Sequence, residues 1–247
     1  MKISSKEYEQ FSKQIILKKI GIIGQKKIKS SKVLIIGMGG LGCPLSIYLS
    51  SLGVGTIGIV DNDKVELSNL NRQIIFNSKD IGKFKTDIAK KRIKSINSST
   101  KIKTYKLKFN KYNSEKLIKN FDIICDGTDN FETRLLINDS CLKQKKILIS
   151  AAVSGFDGHI FKFNFRKKTP CYRCFMPEIP SRNYNCDTEG VAPTITGIMG
   201  TLQANEVLNS ILNFKSNMEK KMIIFNSIQM SFRKVNLSKN KHCKNKC

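Results

Sequence analysis

The sequence predicts an α/β protein with one continuous mixed sheet, parallel in its N-terminal half and antiparallel in its C-terminal half. Three observations predict it. Short β-branched apolar runs alternate with segments of helical period as far as about residue 155, the pattern of crossover-connected parallel strands. A glycine-rich turn joins the first such run to the first such segment. Beyond it the apolar residues alternate with period two on either side of a cysteine-bearing loop, as half-exposed antiparallel strands do.

In chain order, "KVLIIG" (Lys32 to Gly37) is a continuous apolar run bounded by glycine and suits a strand buried on both faces. "LGCPLSIYLSSLG" has apolar residues at helical spacing, with Gly53 as its C-terminal stop. "TIGIVD" is the next strand, "KTDIAKKRIKSIN" an amphipathic helix, and "KIKTYKLKF" a strand with one exposed face. "FDIICDGTDN" gives a buried strand running into a polar loop, "FETRLLINDSCLKQ" a helix and "KILISAAVSG" a further strand. "GHIFKFNF" then alternates as an antiparallel strand. "ITGIMGTLQANEVLNSIL" is a helix with Ile198, Leu202, Val207, Leu208 and Ile211 as its apolar stripe, and "KMIIFNSIQMSFRKVNL" reads as two strands joined near Asn226 and Ser227. There is no internal repeat and no low-complexity linker.

Composition narrows the function classes. Lys and Arg total 44 against 19 Asp and Glu, a net charge of +25. The lysines are scattered through "KKIKSSK", "KKRIKS" and "KQKK" rather than gathered on one element, so a solvated surface is expected and no nucleic-acid partner. No apolar run approaches the roughly 20 residues needed to span a bilayer, and the N-terminus lacks a secretory signal, so a cytoplasmic protein with no membrane partner is expected. Eight cysteines in such a chain point to metal ligation or catalysis rather than to disulfides. Cys43, Cys125 and Cys141 fall within apolar elements and are expected to be small core residues.

"GMGGLG" places Gly37, Gly39 and Gly42 in G-x-G-x-x-G spacing, with Gly40 between them, directly between a predicted strand and a predicted helix. Glycine there lets backbone approach a phosphate at a helix N-terminus, the signature of a Rossmann-like nucleotide-binding fold. Asp61 ends the second strand, where a carboxylate can accept hydrogen bonds from ribose hydroxyls; an NAD-dependent oxidoreductase would place an acid there too. The next segments separate the two. "DNDKVELSNLNRQIIF" carries Asp63, Asn69, Arg72 and Gln73, "GKFKTD" carries Lys85, and "CDGTDN" sets Asp129 and Asn130 on the carboxyl edge of the sheet. Cations and a Mg²⁺-holding carboxylate suit chemistry at the α-phosphate of ATP better than hydride transfer.

Two cysteine pairs distant in sequence, Cys171-x2-Cys174 and Cys243-x3-Cys247, can close a structural zinc site of four thiolates, with His242 as an alternative ligand beside the irregular second pair. A zinc-bearing nucleic-acid-binding module is the reading in which these pairs and the +25 charge work together.

"GMGGLG", "GTIGIVDNDKVELSNLNRQIIF", "DGTDN", "CYRC" and "GVAPTITGIMGTLQANE" together resemble, in order and over essentially the whole chain, the family that contains MoeB, ThiF and HesA, relatives of the ubiquitin-activating enzymes. The resemblance implies one adenylating domain over 1–247, with a nucleotide-binding half to about residue 155 and a carrier-binding and zinc half after it. It implies Mg-ATP-dependent adenylation of the terminal glycine of a small ubiquitin-like sulfur carrier with a Gly-Gly tail, ThiS- or MoaD-like, in thiamine or molybdopterin biosynthesis. A separate sulfur donor and a homodimer are expected with it. Gly39 then lies in the phosphate loop, Asp61 is the ribose ligand, Asn69, Arg72 and Lys85 contact the triphosphate, and Asp129 organises Mg²⁺. Where the family reads R-Y-x-R-Q near its N-terminus this chain has "QFSKQ", so Lys13 replaces an arginine that reaches the neighbouring subunit's ATP. The resemblance also makes Cys186 the candidate for a covalent thiol.

Overall fold

The computed structural model describes residues 2–178, 190–215, 218–245 and 247. Eight strands form a single sheet: β1 (Lys32–Ile36), β2 (Thr56–Val60), β3 (Lys101–Tyr105), β4 (Ile123–Asp126), β5 (Ile147–Ser154), β6 (Asp157–Asn164), β7 (Lys221–Asn226) and β8 (Ser231–Asn236), in the order β3-β2-β1-β4-β5-β6-β7-β8. The strands from β3 to β5 run parallel, and from β5 to β8 each neighbour is antiparallel. The chain winds outward from β1 to β3 and then returns to place β4 on the other side of β1. That reversal opens a crevice at the carboxyl ends of β1 and β4, the place where open α/β sheets bind ligands.

Helices α1 (Ser5–Gln10), α2 (Ser12–Ile15) and α3 (Gly21–Ser30) precede β1; α4 (Gly42–Ser51) and α5 (Lys85–Ile96) make the first two crossovers. Helices α6 (Ser114–Lys119), α7 (Phe131–Lys143), α8 (Tyr172–Phe175) and α9 (Pro193–Leu212) complete the described set. Alternation along the central strands divides the core in two. Val33, Ile35, Ile57 and Ile59 pack with α4, α5 and α9, whereas Leu34, Ile36, Val60 and Ile124 pack with α6, α7 and the cysteine-bearing loop. Cys43, Cys125 and Cys141 are fully buried, as expected of small core residues.

Two expectations are corrected. The third strand stops at Tyr105, where β2 also runs out at Val60, so residues 106–109 lose their one partner and Phe109 turns into the core. The apolar stripe of α9 is rotated: Ile195, Met199, Ala204, Val207 and Leu212 are its buried apolar residues, while Ile198, Leu202, Leu208 and Ile211 are only partly covered. Glu206 also lies on the buried face, held by Lys162 of β6 at 2.6 Å, and a charged residue there hides the stripe from a pattern of apolar positions. Helices α1 to α3 and α6 were not anticipated; α1, α2 and α6 are too short to show a period, and the exposed Ile22 and Ile23 blur that of α3.

Candidate functional site

The loop after β1 forms one wall of a cleft of about 780 Å³. Gly37 turns it with φ of +91°, and a Cβ there would lie 2.9 Å from the carbonyl oxygen of Gly127, in the loop after β4. At Gly42 a Cβ would collide with the Gly37 carbonyl, so this glycine serves the packing of the turn and does not line the cleft. Gly39 differs from both. A Cβ on it would meet nothing nearer than Gln73 Nε2 at 4.0 Å, so the missing side chain leaves space in the cleft and not in the core. Helix α4 begins immediately beyond with no side-chain cap on its first turn, leaving amide donors and the positive end of its dipole for an anion.

The opposite wall carries the predicted polar residues. Asp61 accepts hydrogen bonds from the backbone N–H groups of Met38 and Asp63, both at 2.7 Å, tying the glycine loop to the end of β2. Burial raises its pKa, and the nearby Lys85 opposes that rise. Lys85, nearly buried, holds Asp63 at 2.9 Å across the bridge between Lys64 and Phe84. Arg72 donates to the Ser68 carbonyl at 2.9 Å and to Asn71 Oδ1 at 3.1 Å, and among the described residues it makes no ion pair. Asn69 is buried, its Oδ1 accepting from the Glu66 N–H at 3.1 Å; Gln73 is buried with its Oε1 lacking a partner.

From the loop after β4, Asp129 presents an exposed carboxylate, bonded among the described residues by Asn130 Nδ2 at 3.5 Å. Asn130 lines the cleft, but its Oδ1 caps α7 through the Thr133 N–H at 2.9 Å, a structural task the sequence reading did not assign. Lys13 lies exposed on α2 and takes no part in this cleft wall. The spacing and chemistry of the wall fit a nucleoside triphosphate. Gly39 leaves the room, Arg72 and Lys85 supply charge, and Gln73 has an acceptor unmatched inside the protein.

Sequence reasoning missed the layer beneath. Asp126, wholly buried, accepts from Thr128 N–H at 2.9 Å, Thr128 Oγ1 at 2.6 Å, Ser150 Oγ at 2.6 Å and Arg134 Nε at 3.2 Å. Arg134 also donates to the Thr128 carbonyl at 2.7 Å. An acid closing the apolar run "IICD" and an arginine inside a helix are the signals that could have found them. The far end of the cleft is lined by Phe161, Tyr172, Phe175 and Met222, and by His159, whose pKa burial lowers.

The four expected cysteines converge. Sγ of Cys171 lies 3.6 Å from that of Cys243, and Cys174 lies 3.2 Å from Cys247, with all four sulfurs within 4.8 Å of one another. Four sulfurs about 2.3 Å from one ion sit roughly 3.8 Å apart in a tetrahedron, so this set fits a closed thiolate site. His242 is exposed and outside the group, which removes it as the alternative ligand. Burial lifts the Cys171 thiol to about 11 while no ion is bound. Asn245 Nδ2 lies 3.8 Å from Cys171 Sγ and donates to Asp139 of α7 at 2.7 Å. Cys186 lies outside the described residues.

Comparison with known proteins agrees with this geometry. The profile of the ThiF family matches residues 11–246. A probable molybdopterin-synthase adenylyltransferase of Porphyra purpurea is 42% identical over 234 residues; these are 94% of this chain, which spans 61% of that relative's length. A sulfur carrier protein adenylyltransferase of Thermus thermophilus is 32% identical over 98% of this chain and 92% of its own. Among solved structures, E. coli MccB with MccA-N7isoASN superposes with a TM-score of 0.86 at 24% identity, over 98% of this chain and 75% of that one, a likeness of fold.

Proposed function

The chain belongs to the ThiF family, and we propose that it is an ATP-dependent adenylyltransferase for the terminal carboxylate of a small ubiquitin-like sulfur carrier protein, ThiS- or MoaD-like. The observation that carries the reading is the cleft at the switch point, where open space at Gly39 faces Lys85, Arg72 and Asp129. Family names that include molybdopterin-synthase and sulfur carrier protein adenylyltransferases support it.

In this reading the carrier's glycine carboxylate oxygen attacks the α-phosphorus of ATP. The new P–O bond forms as the bond from α-phosphorus to the bridging oxygen breaks, and pyrophosphate leaves with that electron pair. Nothing is oxidised, and the product is an acyl-adenylate ready for sulfur transfer. Asp61 holds the ribose, backbone N–H groups at Gly39 and Gly40 face the phosphates, and Asn69 and Gln73 complete the polar wall. Arg72 and Lys85 offset charge that grows on the leaving pyrophosphate. For Lys85 this means exchanging Asp63 for phosphate, a short movement of one side chain from its 2.9 Å partner. Asp129, which makes no ion pair among the described residues, would hold Mg²⁺, and that ion would supply further charge neutralisation. Zinc in the four-cysteine site is structural, with no open position.

The enzyme works as a homodimer, Lys13 reaching the partner's nucleotide, and as one unit in the cytoplasm; no helix described here is long and apolar enough to cross a membrane. Cys186 takes a covalent role after adenylation, with sulfur brought by a separate donor. The test is ATP–pyrophosphate exchange with purified Gly-Gly-tailed carriers. Exchange dependent on carrier and Mg²⁺ supports the reading, and exchange that survives Cys186→Ser places that thiol later; absence of exchange with every such carrier ends it.

A further inference from the structure

Helix α7 begins at the cleft, and its middle turns face the cysteine-bearing segments. Its N-cap is Asn130, next to Asp129. One turn on, Arg134 grips the loop after β4 by donating to the Thr128 carbonyl at 2.7 Å and to Asp126 at 3.2 Å. At the next turn, Asn138 Oδ1 accepts the backbone N–H of Tyr172 at 2.8 Å. Beside it Asp139 is held by Arg173 through contacts of 2.7 to 3.0 Å, and by Asn245 at 2.7 Å. Tyr172 and Arg173 are the two residues that follow Cys171, and Asn245 lies between Cys243 and Cys247. The Tyr172 ring returns toward the cleft: its centroid lies 5.9 Å from the guanidinium carbon of Arg134, and the Phe131 ring covers the same group at 5.6 Å.

Arg134 is nearly inaccessible to water, and among the described residues its carboxylate partner is Asp126, itself wholly buried. A buried cation placed this way depends on every group that faces it, because no solvent replaces a lost contact. Tyr172 supplies one such face. Its own backbone N–H is held by Asn138, and it follows Cys171 directly in the chain.

We infer that Arg134 is a positioning residue for the loop that carries Asp129, and that Tyr172, placed by the cysteine cluster, holds Arg134 in that position. The cluster thereby sets the order of the cleft loop through a continuous set of contacts along α7. Its functional consequence rests on the adenylation reading; the contact itself does not.

The test separates the two. Hydrogen exchange of the Thr128 amide, which donates to Asp126 at 2.9 Å, is measured without nucleotide in the wild-type chain and in Tyr172→Leu and Tyr172→Phe. Tyr172→Leu should speed exchange in the 126–130 segment by roughly fivefold, the size of one cation–π contact, and leave β1 to β3 as protected as before. Tyr172→Phe, which keeps the ring face and loses the hydroxyl's hydrogen bond with Arg134, should fall between wild type and Tyr172→Leu. Arg134→Lys should speed the same segment, and combining it with Tyr172→Leu should give less than the sum of the two, since Tyr172 acts on the segment through the side chain at position 134. If Tyr172→Leu does not fold, Asn138→Ala, which releases the Tyr172 N–H, replaces it with the same expectation. Unchanged exchange in the folded variant, a rise spread over the whole sheet, or additive effects in the double variant would overturn the inference. A missing ATP–pyrophosphate exchange in the wild type would instead remove the adenylation reading and leave this contact standing.

Discussion

The cleft and the cysteine cluster are built on opposite principles. In the cleft, beside the Lys85–Asp63 pair, polar groups are left under-partnered: among the described residues Arg72 makes no ion pair, Asp129 meets no cation, and Gln73 has an unmatched acceptor. In the cluster four sulfurs have closed on one point, and neighbouring groups such as Arg173 and Asp139 are paired at about 3 Å or less. An arrangement that leaves its polar groups unsatisfied is waiting for something that changes during a reaction; one that satisfies them is finished when it folds. Proximity of cysteines alone therefore does not mark the chemistry in this protein.

The largest effects should separate the two regions by kind of damage. Asp129→Ala should lower pyrophosphate exchange by about two to three orders of magnitude with an unchanged melting temperature, since the carboxylate is exposed and bonded among the described residues by Asn130. Exchange within a few-fold of wild type would break the assignment. The glycines make the same separation within one loop. Gly39→Val should weaken ATP binding roughly a hundredfold, about 2.7 kcal/mol, without destabilising the fold, while Gly42→Ala should destabilise it, because a Cβ there meets the Gly37 carbonyl. Calorimetric titration with ATP and thermal melts read the two outcomes.

Damage to the cluster should be thermal. Chelation, or Cys174→Ser, should lower the melting temperature by about 10 °C, as a loss of roughly 3–4 kcal/mol does in a domain of this size. Below the new transition, ATP affinity should fall by no more than about tenfold, since the link through Tyr172 is one contact among many. His242→Ala should leave both quantities alone, because that side chain is exposed and outside the sulfur group.

How much of this could be read from the sequence follows the same division. Strands buried on both faces and the glycine turn announce themselves, because burial and backbone approach restrict residue type; β1, β2, α4 and the four cysteines lie where they were expected. The layer under the cleft does not. Asp126 and Arg134 are polar residues inside apolar elements, and only the fold shows that they satisfy one another. The stripe of α9 was misplaced for the same reason, since Gln203 and Glu206 occupy buried positions through partners on other strands. Asn130 was legible as a cleft residue and not as a cap, because one side chain does both.

The smallest effect bears on Lys13, which belongs to neither region in this chain. It is exposed on α2 and absent from the cleft wall of its own chain, so in the proposed homodimer its effect on exchange would be exerted on the partner's nucleotide. Lysine keeps the charge of the family's arginine and loses its planar fork, so Lys13→Arg should raise exchange by roughly threefold and Lys13→Ala should lower it. Mixing gives the sharper result. Lys13→Ala and Asp129→Ala chains, mixed in equal amounts, would form hybrid dimers in which one cleft receives an intact Asp129 from its own chain and an intact Lys13 from the other. With random exchange half the dimers are hybrids and each has one complete cleft, so about a quarter of all clefts are complete and the mixture should exceed the average of its two components. A mixture no more active than the average of its two components would confine each cleft to a single chain.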